Sequence, residues 1–329
     1  MKEVPNLTKE NIGFNNECFY HYGEIVNSGK EAILCGSSVR LYSFEHASYL
    51  QTISRSRNAI IALSNQQDRI SLINASNNAI TITEYSKENG SVDEQNCIMI
   101  KDVNTDGGHP QFSSDDRYLF FGTNSKRLWR YTCGTNLCQC IYQVDYPDQA
   151  LNFDMYADRL LLSLTSSSND SHCGYDILDV EGNRIISLRY GDEKERLVGK
   201  LTKARWLDTK NIIVLYSAPL ISLMNPVQIV SMYTENELHI DPNALELEKL
   251  QKTLANFYIS PNRYYGAFSW MNWGERGPDM THTIRIISMN NMRVVDEVKV
   301  KYYADMSFSR NSRYLFICAE PCVKIDLGQ

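Results

Sequence analysis

The stretch FSSDDRYLFFG, residues 112–122, decides the fold because two close copies of it recur downstream. The copies are ISPNRYYGAFS at 259–269 and FSRNSRYLFIC at 308–318. Each one has an apolar residue, a serine, a short polar turn with an arginine, and then an aromatic and aliphatic run. Asp and Asn in so short a segment favour a tight turn, and the apolar run favours a buried strand. The stretch therefore predicts a hairpin that repeats along the chain.

Further strands accompany each hairpin and complete a four-stranded unit. Weaker copies of the hairpin are FDMYADRLLLSL at 153–164 and RWLDTKNIIVLY at 205–216. A third strand with alternating apolar residues usually follows, as in RLWRYT at 127–132, and most copies add a fourth, as in CIYQVD at 140–145. Four antiparallel strands per unit are typical of a β-propeller blade.

The second strands of these units serve as anchors that count the blades. Seven anchors recur at intervals of 38 to 52 residues, namely Leu34, Leu72, Leu119, Leu161, Ile213, Tyr265 and Leu315. This spacing is close to the length of a WD40-type blade. We therefore expect an all-β fold, a seven-bladed β-propeller of four-stranded antiparallel blades, in a single domain over residues 1–329.

The two ends of the chain predict how the propeller closes. The last unit ends at Leu327 after three strands, and the first unit is preceded by the apolar-aromatic segment CFYHY, Cys18 to Tyr22. If this segment is the fourth strand of the last blade, its edge is paired. We expect residues 1–22 to complete the last blade in this way.

One helix is predicted between blades five and six, over DPNALELEKLQKTLANF at 241–257. Asp241 is a suitable N-cap and Pro242 suits the first helical position. Leu247, Leu250 and Leu254 would share one helical face. The helix could lie over the blades or dock a partner, and we favour the first interpretation.

The Ser-x-Asp/Asn-x-Arg-Tyr copies resemble the degenerate repeats of WD40-like and TolB-like β-propellers. The resemblance covers essentially the whole chain, although the Gly-His and Trp-Asp dipeptides of true WD40 repeats do not occur. It implies a rigid platform that binds partners on one face.

Composition narrows the classes of partner and compartment. A net charge of −6 and a pI near 5.6 argue against a broad nucleic-acid surface. No apolar run approaches the length of a membrane span, so no membrane insertion is expected. The N-terminal sequence MKEVPNLTKENIGFNN has no apolar signal region, and the nine cysteines are best interpreted as free thiols. These features predict a cytoplasmic protein.

Motifs for catalysis or metal binding are weak in this sequence. We find no G-x-S-x-G elbow, P-loop or H-E-x-x-H motif. Asp102, Asn104 and Asp106 match half of a calcium loop, but Ser113 stands where a closing Glu is needed. They remain a weak calcium candidate, and we expect no metal, no cofactor and no catalytic residue.

The cysteine pairs Cys133/Cys138 and Cys318/Cys322 could face each other across hairpins as free thiols. A structural zinc would need four ligands, and no second C-x-x-C motif supplies them. His172 stands beside Cys173, but adjacent residues of an extended chain point to opposite sides. We therefore interpret SHCGYD as a polar loop and not as a nucleophile–base pair.

The long loops predict the binding face. In a propeller of this type, inter-blade links and second-to-third strand loops share one face, and here they are elaborate, whereas the first-to-second turns are tight. The loop at 269–282 carries residue types common at binding hot spots, although its tryptophans could instead pack as a lid. The candidate partner-binding residues are Trp270, Trp273, Arg276, His109, His172, Arg196 and Met224.

These observations favour a non-enzymatic interaction module that binds a protein or peptide. Two alternatives stay open: a propeller enzyme or carbohydrate-binding protein that uses the axial pocket, and an architectural subunit of a larger complex.

Overall fold

A computed structural model describes most of the chain. The described residues are 7–12, 20–57, 59–76, 79–88, 91–101, 109–166, 172–189, 200–217, 227–231, 237–239, 253–271 and 281–328. The chain divides into two compact units, the first with residues 1–60, 88–92 and 241–329 and the second with 61–87 and 93–240. No helix in the described ranges is long and apolar enough to cross a membrane.

The first unit contains blades one, six and seven. Blade one has the strands β2 (Tyr22–Val26), β3 (Glu31–Cys35), β4 (Val39–Ser43) and β5 (Ser48–Ser54), with a single 3₁₀ turn at Asn27–Gly29. Blades six and seven have β22 (Thr253–Ile259), β23 (Tyr265–Met271), β24 (Thr281–Ser288), β25 (Arg293–Phe308), β26 (Tyr314–Glu320), β27 (Cys322–Asp326) and β1 (Thr8–Ile12). The sixteen-residue β25 is both the fourth strand of blade six and the first of blade seven, with a register break between Lys301 and Asp305. The two blades therefore form one continuous sheet in the order β1-β27-β26-β25-β24-β23-β22.

Blades two to five are four separate sheets, each with its strands in sequence order. Blade two has β6 (Ile60–Leu63), β7 (Arg69–Ser76), β8 (Ala79–Glu88) and β9 (Ser91–Lys101). Blade three has β10 (Gln111–Phe112), β11 (Tyr118–Thr123), β12 (Arg127–Thr132) and β13 (Cys138–Gln143). Blade four has β14 (Gln149–Tyr156), β15 (Arg159–Ser166), β16 (Gly174–Asp179) and β17 (Arg184–Arg189). Blade five has β18 (Lys200–Trp206), β19 (Asn211–Ser217), β20 (Val227–Ser231) and β21 (Glu237–His239).

The predicted fold class is confirmed: the described residues form an all-β structure of seven four-stranded antiparallel blades. Each of the seven anchors lies in the second strand of its blade, from Leu34 in β3 to Leu315 in β26. Second strands are covered on both faces, and Leu119 and Leu161 accordingly have no exposed surface. The single domain expected over 1–329 stays a prediction.

A serine-anchored turn explains the repeated stretch. In blade three, the Ser113 amide donates to the Tyr118 carbonyl and the Ser113 hydroxyl accepts from the Tyr118 amide at 2.9 Å, while Asp116 has a left-handed φ of 57°. The Asp116 carboxylate then accepts hydrogen bonds from the backbone and side chain of Asn65 at 2.7 and 2.9 Å. The equivalents of Ser113, Asp116 and Tyr118 are Ser260, Arg263 and Tyr265 in blade six, and Ser309, Ser312 and Tyr314 in blade seven. The carboxylates of 112–122 therefore belong to a turn that also docks onto the preceding blade.

The last blade is closed by an N-terminal strand, but not by the predicted one. β1 pairs with β27 from Thr8 opposite Asp326 to Ile12 opposite Cys322. Cys18 lies outside the described residues, and Tyr22 begins β2, the first strand of blade one. The prediction that Cys18–Tyr22 pairs with the last blade was wrong because it selected the most apolar segment. An edge strand is covered on one side only, and in β1 only Ile12 is buried.

The predicted helix at 241–257 is wrong over its last five residues. Residues 241–252 lie outside the described part of the chain, whereas Thr253–Ile259 is strand β22. The backbone from Leu254 to Ile259 pairs with β23 from Trp270 to Gly266. Tertiary strand pairing therefore decides the conformation of this segment, although its leucine spacing suits a helix.

Candidate functional site

A group of polar and aromatic side chains meets at one end of blade four, in the second unit. Residues 144–148 link β13 to β14, and residues 172–173 lead into β16. Because β14, β15 and β16 are consecutive antiparallel strands, the starts of β14 and β16 lie at the same end of the blade. We call the group that forms there the Tyr146–His172 site; it consists of Tyr146, Asp148, Gln149, Ser166 and His172.

His172 is held in place by a carboxylate. Its Nδ1 lies 3.0 Å from Asp148 Oδ1 and 3.2 Å from Oδ2. The same carboxylate accepts a hydrogen bond from the Ser166 hydroxyl. His172 and Asp148 each expose about a fifth of the side chain, 22% and 21%. An imidazole bound by Asp at one nitrogen has a fixed ring orientation.

Gln149 connects the two segments of the site, residues 144–148 and 172–173, by hydrogen bonds. Its side-chain amide donates to the His172 carbonyl at 2.6 Å, and its side-chain oxygen accepts from the Tyr146 amide at 3.0 Å. The Gln149 amide in turn donates to the Tyr146 carbonyl at 3.2 Å, which closes a tight turn over Tyr146–Gln149. Gln149 itself is 1% exposed. A buried amide with both ends satisfied gives the loops a single arrangement.

Tyr146 covers the His172 ring. The two rings stack with their centroids 3.7 Å apart and their planes 3° from parallel. Tyr146 is nevertheless 43% exposed. Together, the two rings form a flat, partly open aromatic surface on a rigid base.

The geometry does not match an acyl-transfer triad. In such a triad the histidine stands between the serine and the carboxylate, with a nitrogen for each. Here the carboxylate is in the middle, because Asp148 binds both Ser166 and His172. Cys173 is 2% exposed and packs with Leu161 and Trp206, so it lies in the blade interior. The arrangement agrees with the interpretation that His172 and Cys173 are not a nucleophile–base pair.

A buried charge network adjoins the 144–148 link. Arg189 donates to both carboxylate oxygens of Asp176, at 2.6 and 3.2 Å, and Tyr142 donates to Oδ2 at 2.7 Å. Asp176 has no exposed surface, and Asp145 in the link lies 3.6 Å from Arg189 and 3.7 Å from Arg184. Burial alone would raise the pKa of Asp176, but the hydrogen bonds from Arg189 and Tyr142 outweigh it, so this pKa is lowered. Asp176 is therefore a buried, charged carboxylate that binds Arg189 and Tyr142 next to the 144–148 link.

The other predicted partner-binding residues are not brought into this site by the described structure. Trp270 lies in β23, not in a loop; it is 2% exposed, stacks on Phe268 and lies under the Arg285 guanidinium. It therefore belongs to the interior of blade six. His109 precedes β10 and is half-buried. Trp273, Arg276, Arg196 and Met224 lie outside the described residues, as do the calcium candidates Asp102, Asn104 and Asp106.

The sequence analysis named His172 as a partner-binding candidate but did not name Tyr146, Asp148 or Gln149. These three residues lie in the short segment DYPDQ, which has none of the length that marked the other loops. Their proximity to His172 could have been predicted from the order of the strands. The link before the first strand and the loop before the third strand of one blade must end on the same side, so residues of the two can meet.

Comparisons with known proteins support the fold. No protein-family model matches the chain, and no curated protein sequence matches it. Among solved structures, it is similar to Kuenenia stuttgartiensis Hydrazine Synthase, with a TM-score of 0.67 and 12% identity over 95% of this chain and 96% of that one. At this identity the likeness extends to the fold alone. Since 1062 solved chains match the structure, the fold does not select a function, and the chain is placed as a β-propeller.

Proposed function

We propose that this protein is a non-enzymatic interaction module that binds a protein or peptide on its long-loop face, with the Tyr146–His172 site as part of the contact surface. The observation that carries the proposal is the stacked ring pair, which is partly exposed yet fixed from beneath by Asp148 and Gln149. The resemblance to WD40-like repeats supports the same assignment, since such propellers serve as binding platforms.

Rigid aromatic groups are effective in binding because little side-chain freedom is lost when a partner arrives. Tyrosine is also enriched among the residues that dominate interface energies. Tyr146 already stacks on the His172 ring in the unbound protein, so it has less rotamer freedom left to lose on binding. We therefore expect it to contribute more than a freely rotating surface tyrosine.

The charges around the site suit a protein partner better than a nucleic acid. Asp145 and Asp148 flank Tyr146, and the nearby Arg184 and Arg189 are engaged with acidic groups. A phosphate backbone needs cations that are available to it. A partner with apolar or basic groups would match this surface, and the free cysteines of the described residues are compatible with a reducing, cytoplasmic setting.

The test is affinity capture from a cell extract, followed by binding isotherms with each purified interactor. Tyr146→Ala should weaken binding by roughly tenfold or more, as expected for a hot-spot tyrosine worth at least about 1.4 kcal/mol. Tyr264→Ala is the matched control, because Tyr264 is 55% exposed but lies in the tight β22–β23 turn, outside the long-loop set. A second variant, Trp273→Ala, tests the predicted loop at 269–282.

The proposal fails if an interactor binds the wild type and Tyr146→Ala equally well, with Trp273→Ala also unchanged. A loss caused equally by Tyr264→Ala would also count against it, because the effect would not depend on the face. Circular dichroism of each variant separates loss of binding from loss of fold.

A carbohydrate-binding protein or enzyme is the second candidate, and it has its own observation in the first unit. The first strands β2, β22 and β25 carry Tyr22, Glu24, Tyr258 and Asp305. The Tyr22 hydroxyl donates to Glu24 Oε1 at 2.5 Å, and burial together with the Glu24 charge raises the pKa of Tyr22. Tyrosines beside carboxylates are suited to sugar hydroxyls. Binding of neutral oligosaccharides on an array, abolished by Glu24→Gln, would favour this candidate over the first.

A further inference from the structure

Two cysteines face each other across the β26–β27 turn in the first unit. Cys318 lies in β26, Cys322 begins β27, and only residues 319–321 separate them. The strands pair with Tyr314 opposite Asp326 and Ile317 opposite Val323. The next position in this register places Cys318 opposite Cys322. The pair is therefore set by strand pairing and not by a flexible loop.

The register makes the side chains of Cys318 and Cys322 direct cross-strand neighbours. The Cys322 thiol donates a hydrogen bond to the Ala319 carbonyl at 3.3 Å. Both cysteines are reduced in this structure. Directly opposed residues of antiparallel strands have Cα atoms about 4.5–5.5 Å apart. This separation falls inside the range of about 4.4–6.8 Å that a disulfide bridges.

The hairpin pair Cys133/Cys138 lacks this arrangement and provides an internal comparison. Cys138 is paired with Tyr131, whereas Cys133 lies beyond the end of β12. Burial, together with the charge of the nearby Glu84, raises the pKa of the Cys133 thiol. Similar spacing in the sequence therefore gives two different outcomes, and only the 318/322 pair has opposed positions in a strand ladder.

We propose that Cys318 and Cys322 are a reversible dithiol–disulfide site, oxidised by a small hydroperoxide. The Cys322 thiolate attacks the terminal peroxide oxygen, the O–O bond breaks, and the leaving oxygen takes up a proton to depart as water or an alcohol. This step makes Cys322 a sulfenic acid. The Cys318 sulfur then attacks the Cys322 sulfur, an S–S bond forms, and the hydroxyl leaves with the Cys318 proton as a second water. The two thiols are oxidised by two electrons, and the peroxide is reduced by two.

The order of the two steps follows from the surroundings of each thiol. The neighbouring Cys318 thiol lowers the pKa of Cys322, whereas burial raises the pKa of Cys318. Cys322 is 5% exposed and Cys318 has no exposed surface. Cys322 is thus both the better thiolate and the first sulfur that an oxidant meets. Its burial restricts the site to small oxidants.

The Cys318–Cys322 disulfide would add a covalent link to β27, the strand that pairs with β1 in the last blade. Cys322 is opposite Ile12 of β1 on one side and opposite Cys318 on the other. Oxidation would therefore join β26 and β27 at the point where β1 ends its pairing.

The test treats the folded, full-length protein with hydrogen peroxide, blocks the remaining thiols with an alkylating reagent and maps the peptides by mass spectrometry. We expect one disulfide, between Cys318 and Cys322, that dithiothreitol reverses. Cys133→Ser should leave the bond unchanged. Cys318→Ser should stop the reaction at a sulfenic acid on Cys322, which a dimedone probe traps, and Cys322→Ser should leave Cys318 unmodified.

Three outcomes would overturn the proposal. In the first, both Cys318 and Cys322 are still alkylated in the wild type after peroxide treatment. In the second, Cys322 becomes a sulfinic acid without forming a disulfide. In the third, a disulfide joins either residue to a different cysteine, such as Cys35. Peroxide can be applied below the concentration that alters the circular dichroism spectrum, so that unfolding does not create the bond.

Discussion

Replacing Ile12 by alanine tests the closing strand of the last blade most directly. Four of the five residues of β1 are exposed, and Ile12 alone is buried, with 5% of its surface accessible. Its side chain packs in a cluster with Ile25, Tyr314 and Phe316. Ile12 is therefore the one side chain through which β1 adds to the apolar core of the first unit.

The magnitude follows from this burial. An Ile→Ala change in a core costs about 2–5 kcal/mol, and we expect about 2–3 kcal/mol because a strand at the edge of a sheet can relax. Ile12→Val removes one methylene and should cost about 0.5–1.5 kcal/mol. Asn11→Ala, the matched control, changes an exposed residue of the same strand and should stay within about 0.5 kcal/mol of the wild type.

The free energies can be measured by urea unfolding followed by circular dichroism, and amide hydrogen exchange adds a local measurement. Ile12→Ala should increase exchange at the β27 amides that pair with β1, from Cys322 to Asp326. Equal unfolding free energies for Ile12→Ala and Asn11→Ala, with unchanged exchange in β27, would refute the assignment of β1 as the closing strand. Cys18–Tyr22, the segment predicted from the sequence, would then be the alternative closing strand to examine.

Three further predictions concern the interior of single units. A Cβ on Gly23 would lie 2.6 Å from the Phe316 ring, so Gly23→Ala should lower the unfolding free energy by about 1–3 kcal/mol, and Phe316→Leu in the same chain should recover part of the loss in urea unfolding. Asp176→Asn removes the buried charge partner of Arg189 and should cost about 1.5–3 kcal/mol at neutral pH, since Asp145 still lies 3.6 Å from Arg189. Because the pKa of Asp176 is lowered, its stabilisation is present above the unfolded value of about 3.9 and is lost as pH falls through the lower folded value. The difference between wild type and Asp176→Asn should therefore shrink in acid unfolding below about pH 4, and a difference that is constant with pH would contradict the charge assignment. Trp270→Ala removes a side chain that is 2% exposed and should destabilise by about 3–5 kcal/mol in thermal or urea unfolding, whereas an unchanged stability would contradict its place in the blade interior.

The blades were predictable because each one needs the same local chemistry. A serine that binds the backbone across a tight turn, followed by a second strand covered on both faces, leaves a pattern in every copy that keeps it. The Ser113 turn and its equivalents at Ser260 and Ser309 share the same hydrogen bonds, although the residues between them differ. The residue with left-handed backbone is Asp116, Arg263 or Ser312, so this position requires a conformation and not a particular side chain.

The closing strand was not predictable from apolar pattern. β1 has the sequence TKENI, with one apolar residue in five, because among the described strands it pairs along one edge, with β27, and most of its side chains are exposed to solvent. Tyr20 is buried in an apolar cluster that includes residues of blades one and seven, and Tyr22 pairs with Cys35 of blade one and not with β27. Hydrophobicity indicates burial, but it does not state which strand a segment pairs with.

The Tyr146–His172 site was missed in the sequence for a different reason, since its residues come from two segments that are far apart along the chain. Asp148 precedes the first strand of blade four and His172 stands two residues before the third strand, 24 positions along the chain. Neighbouring strands lie about 4.8 Å apart, so the starts of a first and a third strand are separated by about 10 Å. Side chains that lean toward each other over the end of the second strand can bridge this distance. Polar or aromatic residues directly before the first and third strands of one blade are therefore the pairs to compare when a propeller sequence is searched for sites, and loop length alone is a poor guide.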